Sequence, residues 1–209
     1  MLAGNPARIV QGQGPGRDGN PQDGVDQSAG AVAAARELAG DLPCRFVQAR
    51  VPPLPGGGFE VVVLLETMLA FPAKQTLVTE VARVLEPGGR FAFTVEEGAP
   101  LTGAERARMP AAGTVWPIMM ADLTGVLREA GLAVTWQREY SSAHHAIAAA
   151  LHSCYRADAA AIADQIGARA AAELVTAHQL WGDWLGSGRV RKRAVVAVKQ
   201  QAPSPAVPR

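Results

Sequence analysis

"VARVLEPGGRFAFTVEE", residues Val81–Glu97, decides the fold. It joins the end of an amphipathic helix to a strand through a Pro-Gly-Gly break. Upstream, "AKQTLVTEVARVL" has helical periodicity, with Leu77, Val78, Val81, Val84 and Leu85 on one face. Pro87 cannot continue a helix, and Gly88 and Gly89 accept the turn that follows. "RFAFTVEE" then reads as a strand. A helix passing into a strand within a few residues is the joint of an α/β fold.

The same alternation extends in both directions. "FEVVVLLE" is apolar without alternation, as in a strand buried on both faces of a parallel sheet. "CRFVQAR" before it is β-rich and separated from it by the turn-rich "VPPLPGGG". "DGVDQ" is a short strand ending in Asp26; Ser28 caps the helix "AGAVAAARELAG", which Gly40 closes. On the other side, "MADLTGVLREAG" is an amphipathic helix ended by Gly131, and "LAVTWQREY" follows as a strand. Strands alternating with helices predict a doubly wound, mostly parallel, Rossmann-like sheet. The rhythm breaks at Ser141. From there to Leu185 the chain is alanine-rich and helical, and "GRVRKRAVVAVKQ" returns as a final strand. The helical insertion 141–185 is expected over one edge of the sheet as a substrate cap. Residues 1–23, rich in Gly, Pro, Gln, Asn and Asp, form a poorly ordered leader, and 201–209 a disordered tail. A single domain spans 24–200.

Composition removes several classes of function. With 209 residues, 48% of them hydrophobic, the chain can bury one sizeable core. A net charge of +1 argues against a nucleic-acid binder that relies on a basic field. The longest apolar stretch, "VVVLLETMLAF", is interrupted by Glu66 and is too short to span a membrane. Cys44 and Cys154 stand alone, without metal-ligand spacing, as free thiols of a reducing cytoplasm do.

The order "GVDQSAGAVAAARELA … FVQARVPPLPGGGFEVVVLLETMLAFP … VARVLEPGGRFAFT … LREAGL" resembles the class I S-adenosylmethionine-dependent methyltransferases, in their small-molecule, type 11-like branch. "VARVLEPGGRF" is the most specific match, and the resemblance covers about residues 8–140 and the final strand. It implies S-adenosylmethionine as cofactor and a small-molecule methyl acceptor as partner, with no nucleic acid and no membrane; a homodimer stays open. It implies transfer of the methyl group to an oxygen, nitrogen or carbon nucleophile. By the resemblance, Asp26 receives the ribose hydroxyls, Gln27, Arg50 and Glu66 line the cofactor, and Gly12, Gly14 and Gly16 of "GQGPG" match the glycine loop. Glu96, Glu97 and His144 are the candidate bases. No metal site is expected, since His145 and His152 lie two helical turns apart.

Departures from the family pattern are as specific as the matches. Val10 stands where the first strand usually carries an acid, and Arg50 where an acid often meets the adenine amino group. Only ten positions separate Gly16 from Asp26, too few for the helix of about 10 residues and strand of about 5 that the family has there. The motif is shortened. A second reading is therefore a non-catalytic remnant of the fold with lost cofactor binding; a nicotinamide dehydrogenase is a third, weaker one. Trp181 and Trp184, three apart, read as core packing, and Trp116 as a substrate-side residue. Arg189, Arg191, Lys192 and Arg193 read as solvated charge entering the last strand.

Overall fold

The computed structural model describes residues 9–12, 22–110 and 115–201. The strands are β1 (Ile9–Gly12), β2 (Gln22–Asp26), β3 (Cys44–Gln48), β4 (Phe59–Leu64), β5 (Leu85–Glu97), β6 (Leu132–Glu139) and β7 (Arg191–Lys199). They form one sheet in the order β3-β2-β1-β4-β5-β7-β6. The helices are α1 (Ala29–Ala39), α2 (Lys74–Val84), α3 (Gly103–Arg108), α4 (Met120–Glu129), α5 (Ser141–Ala157), α6 (Ala159–Ile166) and α7 (Ala168–Gly186), with a 3-10 turn at Met68–Ala70.

Most of the expected helix and strand junctions are present, with their local causes; the Pro87–Gly89 break is not, because β5 begins at Leu85 and runs through it, with a register shift against β4 there. Ser28 caps α1 by accepting the Ala31 N–H at 3.2 Å. Gly131, after α4, has φ +76°, a left-handed conformation that glycine adopts without strain. Leu77, Val78, Val81 and Val84 of α2 are fully buried against Val62, Leu64, Phe91 and Phe93 of the central strands. Each such side chain contributes about 1.5–3 kcal/mol. Leu123 and Leu127 of α4 complete that face.

Strand direction departs from expectation at one place. β2 and β3 are parallel, as are β4 and β5, and β7 runs antiparallel between β5 and β6. β1 is antiparallel to both β2 and β4. Five strands thus point one way and β1 and β7 the other. The cause lies in chain length. Only residues 13–21 join β1 to β2, whereas a parallel neighbour requires a crossover of about a dozen residues or more. Ile9–Gly12, expected within the leader, is a strand, and Gln22 and Asp23 belong to β2. The remainder of the leader, and the tail beyond Gln201, lie outside the described residues.

The helical insertion packs over the carboxyl end of the central strands rather than along an edge. Leu180 and Trp184 of α7 form a second core with Leu69 after β4, with Leu101, Met109 and Val115 after β5, and with Val190 before β7. α5 packs on α7 and on β7. A capping box between Thr102 and Glu105 starts α3, and Arg189 grips Glu105 through two hydrogen bonds of 2.6 and 2.9 Å. That grip joins the segment after β5 to the one before β7.

Candidate functional site

Ligands of open α/β sheets bind at the carboxyl ends of the strands, where the connections diverge. Asp26 ends β2, Glu96 lies near the end of β5, and Glu66 follows β4 by two residues. The rim they form has two sides, separated by β1.

On the β2–β3 side, Asp26 is 6% exposed. Its Oδ1 accepts the Ser28 N–H at 2.7 Å, and its Oδ2 is buried with no hydrogen-bond partner. A buried carboxylate oxygen left unpaired is costly, and such atoms call for a donor. Next to it, a cleft of about 520 Å³ is lined by Gln27, Arg50, Val51, Phe71, Ala73 and Thr76. An apolar wall from Val51 and Phe71, with polar groups at one end, suits a flat heteroaromatic ring joined to a polyhydroxylated sugar. Asp26, Gln27 and Arg50 therefore fit the nucleoside part of the cofactor that the sequence resemblance implies. Gly12 does not join them. It pairs with Val61 at the start of β4, at the end of the sheet opposite Asp26. Gly14 and Gly16 lie outside the described residues.

On the β4–β7 side, the structure assembles a polar cluster with no sequence motif. Glu66, with φ +51°, has a half-exposed side chain that meets Thr94, Tyr140 and Lys192. Its backbone N–H donates to Thr94 Oγ1 at 2.7 Å, and the Thr94 hydroxyl donates to Glu66 Oε1 at 3.1 Å. The Tyr140 hydroxyl donates to the same oxygen at 3.2 Å. Lys192 Nζ donates to Glu66 Oε2 at 2.5 Å and also to Glu96 Oε1. His144 Nε2, in the first turn of α5, lies 3.8 Å from Glu66 Oε2. The Tyr140 ring meets the imidazole edge-on at 5.9 Å.

Charge in this cluster follows from burial and pairing. Burial favours the neutral acid at Glu66, but Lys192, His144 and the Thr94 hydrogen bond outweigh it and hold the carboxyl below its ordinary value. Glu96 is 1% exposed, and burial raises its carboxyl in spite of Lys192; its Oε2 has no hydrogen-bond partner. Burial, then the charge of Lys192, lowers the His144 imidazole, with Glu66 opposing. Burial and the Glu66 charge raise the Tyr140 phenol, which stays protonated and donating. Lys74, also buried, donates to the carbonyls of Met68, Phe71 and Trp116 at 3.1, 2.9 and 2.6 Å. Burial brings its ammonium down to about 8.

Other residues singled out in the sequence take the following positions. Lys192 is 1% exposed, so it is not solvated strand charge. Arg189 pairs with Glu105 and Arg193 with Glu97; Arg191 is exposed. Glu97 is thereby tied to Arg193, and its neighbour Glu96 is enclosed. Trp184 is buried and stacks edge-on with Trp181 at 5.8 Å, as packing. Trp116 lies under Arg106, whose guanidinium is 4.7 Å from its ring. Among the described residues no group of histidine, cysteine and carboxylate side chains is placed to hold a metal, and no helix is long and apolar enough to cross a membrane. Thr94, Tyr140, Lys74 and Lys192 escaped sequence reasoning. Lys192 alone left a trace, standing two residues from Val190 and from Ala194 in the strand alternation.

Comparison with known proteins points to methyltransferases. The model described as a methyltransferase domain matches residues 13–93. The 27-O-demethylrifamycin SV methyltransferase of Amycolatopsis mediterranei (strain S699) is 36% identical over 92 residues, 42% of this chain and 34% of that protein. The chain thus spans about a third of the length of the curated relative it matches. A protein of Galdieria sulphuraria, proposed to be a sarcosine dimethylglycine methyltransferase, superposes with TM-score 0.73 at 14% identity over 86% of this chain and 69% of that one. A phosphoethanolamine N-methyltransferase of Haemonchus contortus, solved with S-adenosyl-L-methionine, gives 0.70 at 16% identity over 86% of this chain and 43% of that one. At those identities the likeness is one of fold.

Proposed function

We propose that this chain is a class I S-adenosylmethionine-dependent methyltransferase that methylates an oxygen, nitrogen or carbon nucleophile of a small molecule. The observation that carries the proposal is the unpaired, buried Asp26 Oδ2 beside the Gln27–Arg50–Phe71 cleft. Asp26 would receive the ribose hydroxyls in a charge-assisted contact. Arg50 can only donate, so adenine recognition there would run through its ring acceptors or by stacking. The bound cofactor supplies an activated sulfonium methyl, which leaves alignment and water exclusion to the protein.

The acceptor would lie on the β4–β7 side, under the α5–α7 insertion. Of the three candidate bases, His144 is favoured. Its side chain is 27% exposed, within reach of a ligand, while Glu96 is enclosed and Glu97 is paired. A lowered imidazole is neutral near pH 7 and free to take a proton from a hydroxyl or amine.

A second reading has its own observation. Gly12 stands at the far end of the sheet from Asp26, so it does not reach the rim. That arrangement favours a remnant without cofactor affinity. Isothermal titration of the full chain with S-adenosylhomocysteine separates the two. Saturable heat at high micromolar ligand is expected; its absence sinks the enzyme reading and leaves the remnant.

A further inference from the structure

Two cations contest one oxygen at the centre of the acceptor-side cluster. Glu66 Oε2 receives Lys192 Nζ at 2.5 Å and has His144 Nε2 at 3.8 Å. At 3.8 Å the neutral imidazole makes no hydrogen bond to the carboxylate. Once protonated, the ring becomes a full charge in a half-buried site, where a carboxylate so near would hold it. A base that is already protonated cannot act as one.

We propose that Lys192 is a positioning residue of the acceptor side: by occupying Glu66 Oε2 it denies that oxygen to an imidazolium and keeps His144 open as a proton acceptor. The inference rests on the methyltransferase reading for what His144 does, but not for the charge arrangement itself. The placement of Lys192 is over-determined, as such a role requires. Its side chain is 1% exposed, it pairs across the sheet with Glu96, and its ammonium bridges Glu96 Oε1 and Glu66 Oε2. Its backbone is fixed as well. The Lys192 N–H donates to Ser141 Oγ at 2.9 Å, and its carbonyl accepts the Tyr140 N–H at 3.0 Å. The same strand segment therefore positions the lysine and the start of the helix that bears His144.

Among the described residues, the charged and titratable groups nearest the imidazole each have a defined sense. Glu66, after β4, attracts a proton to the ring. Lys192, from β7, opposes it. Tyr140, at the end of β6, is spent on Glu66 Oε1 and stays neutral. Glu96, from β5, acts only through Lys192, whose ammonium stands between it and Glu66. The balance at His144 is thus a contest between two neighbours, and the lysine is closer to the disputed oxygen.

The test is an NMR pH titration of His144 in the ligand-free full chain, its signal assigned by comparison with H144Q. The K192M/E96Q double variant removes the lysine together with its second carboxylate, so that no buried Glu96 charge is left behind. Its His144 midpoint is expected to rise by about one pH unit or more, while K192R stays near wild type. An unmoved midpoint in the folded double variant overturns the proposal. Should that variant not fold, E66Q decides, because it leaves the lysine facing the ring alone. Its midpoint must then fall below wild type, and a rise or no change overturns the proposal. Titration of the same samples with S-adenosylhomocysteine keeps the outcomes apart. A shifted midpoint without ligand binding preserves the charge contest and removes the catalytic reading alone.

Discussion

The two sides of the rim are built in opposite ways. The β2–β3 side offers a cleft of about 520 Å³ and an acid with an unspent oxygen, and little of the core depends on either. The β4–β7 side offers side chains that mostly satisfy one another, Glu96 Oε2 excepted, with Lys192 and Glu96 each 1% exposed among the strands. One side is arranged for a missing partner; the other has supplied most of its own. The family model ends at residue 93, immediately before Thr94. The cleft lies within the matched segment, while Thr94, Glu96, Tyr140, His144 and Lys192 all lie beyond it. The matched segment therefore holds the whole cleft, and of the polar cluster it holds Glu66 but not the groups that Glu66 meets.

If that contrast is right, substitutions on the two sides fail differently. The largest effect is expected for Lys192→Met alone, which strands Glu96 as a buried, uncompensated carboxylate. A loss of about 3–5 kcal/mol in urea unfolding is expected, and a loss below about 1 kcal/mol would mean that the cluster is not part of the core. Next comes Lys74→Met, which leaves the carbonyls of Met68, Phe71 and Trp116 without their donor. It should cost about 2–3 kcal/mol in the same measurement. Because those carbonyls join the cleft wall to the acceptor-side segment, it should also weaken cofactor binding. The smallest effect on stability belongs to Asp26→Asn, within about 1 kcal/mol of the wild type, since an amide oxygen can still accept the Ser28 N–H. Its effect is expected on ligand affinity. S-adenosylhomocysteine binding should weaken about 10–100-fold in calorimetry, the loss of one charged hydrogen bond. Equal losses of stability on the two sides would erase the distinction between them.

Legibility in the sequence divided along a related line. Helices and strands were readable wherever hydrophobic period and capping agreed, as at Ser28, Gly40 and Gly131. So was Asp26, because a strand end followed by a helix cap is a local pattern. Glu66 and Glu96 were readable as residues at strand ends, though not as partners. Lys192 was misread because a lysine among arginines beside a loop has the composition of a surface. Its burial depends on pairing with Glu96 across 96 positions of chain. Gly12 was misread in the other direction. Its local pattern is that of a cofactor loop, and only the direction of β1 shows which end of the sheet it occupies.

By itself the amino-acid sequence determined the α/β alternation, most helix ends, the acid at the end of β2 and the shortage of residues between Gly16 and Asp26. These are matters of period, capping and chain length, each set by residues near one another. Only the tertiary structure decided that the shortage reverses β1, that the helical insertion covers the carboxyl end of the central strands, and that Glu66, Glu96, Tyr140, His144 and Lys192 meet. The physical reason is that strand order and direction bring together groups up to 126 positions apart. Within that enclosure, burial gives each charge a strength that no local pattern records.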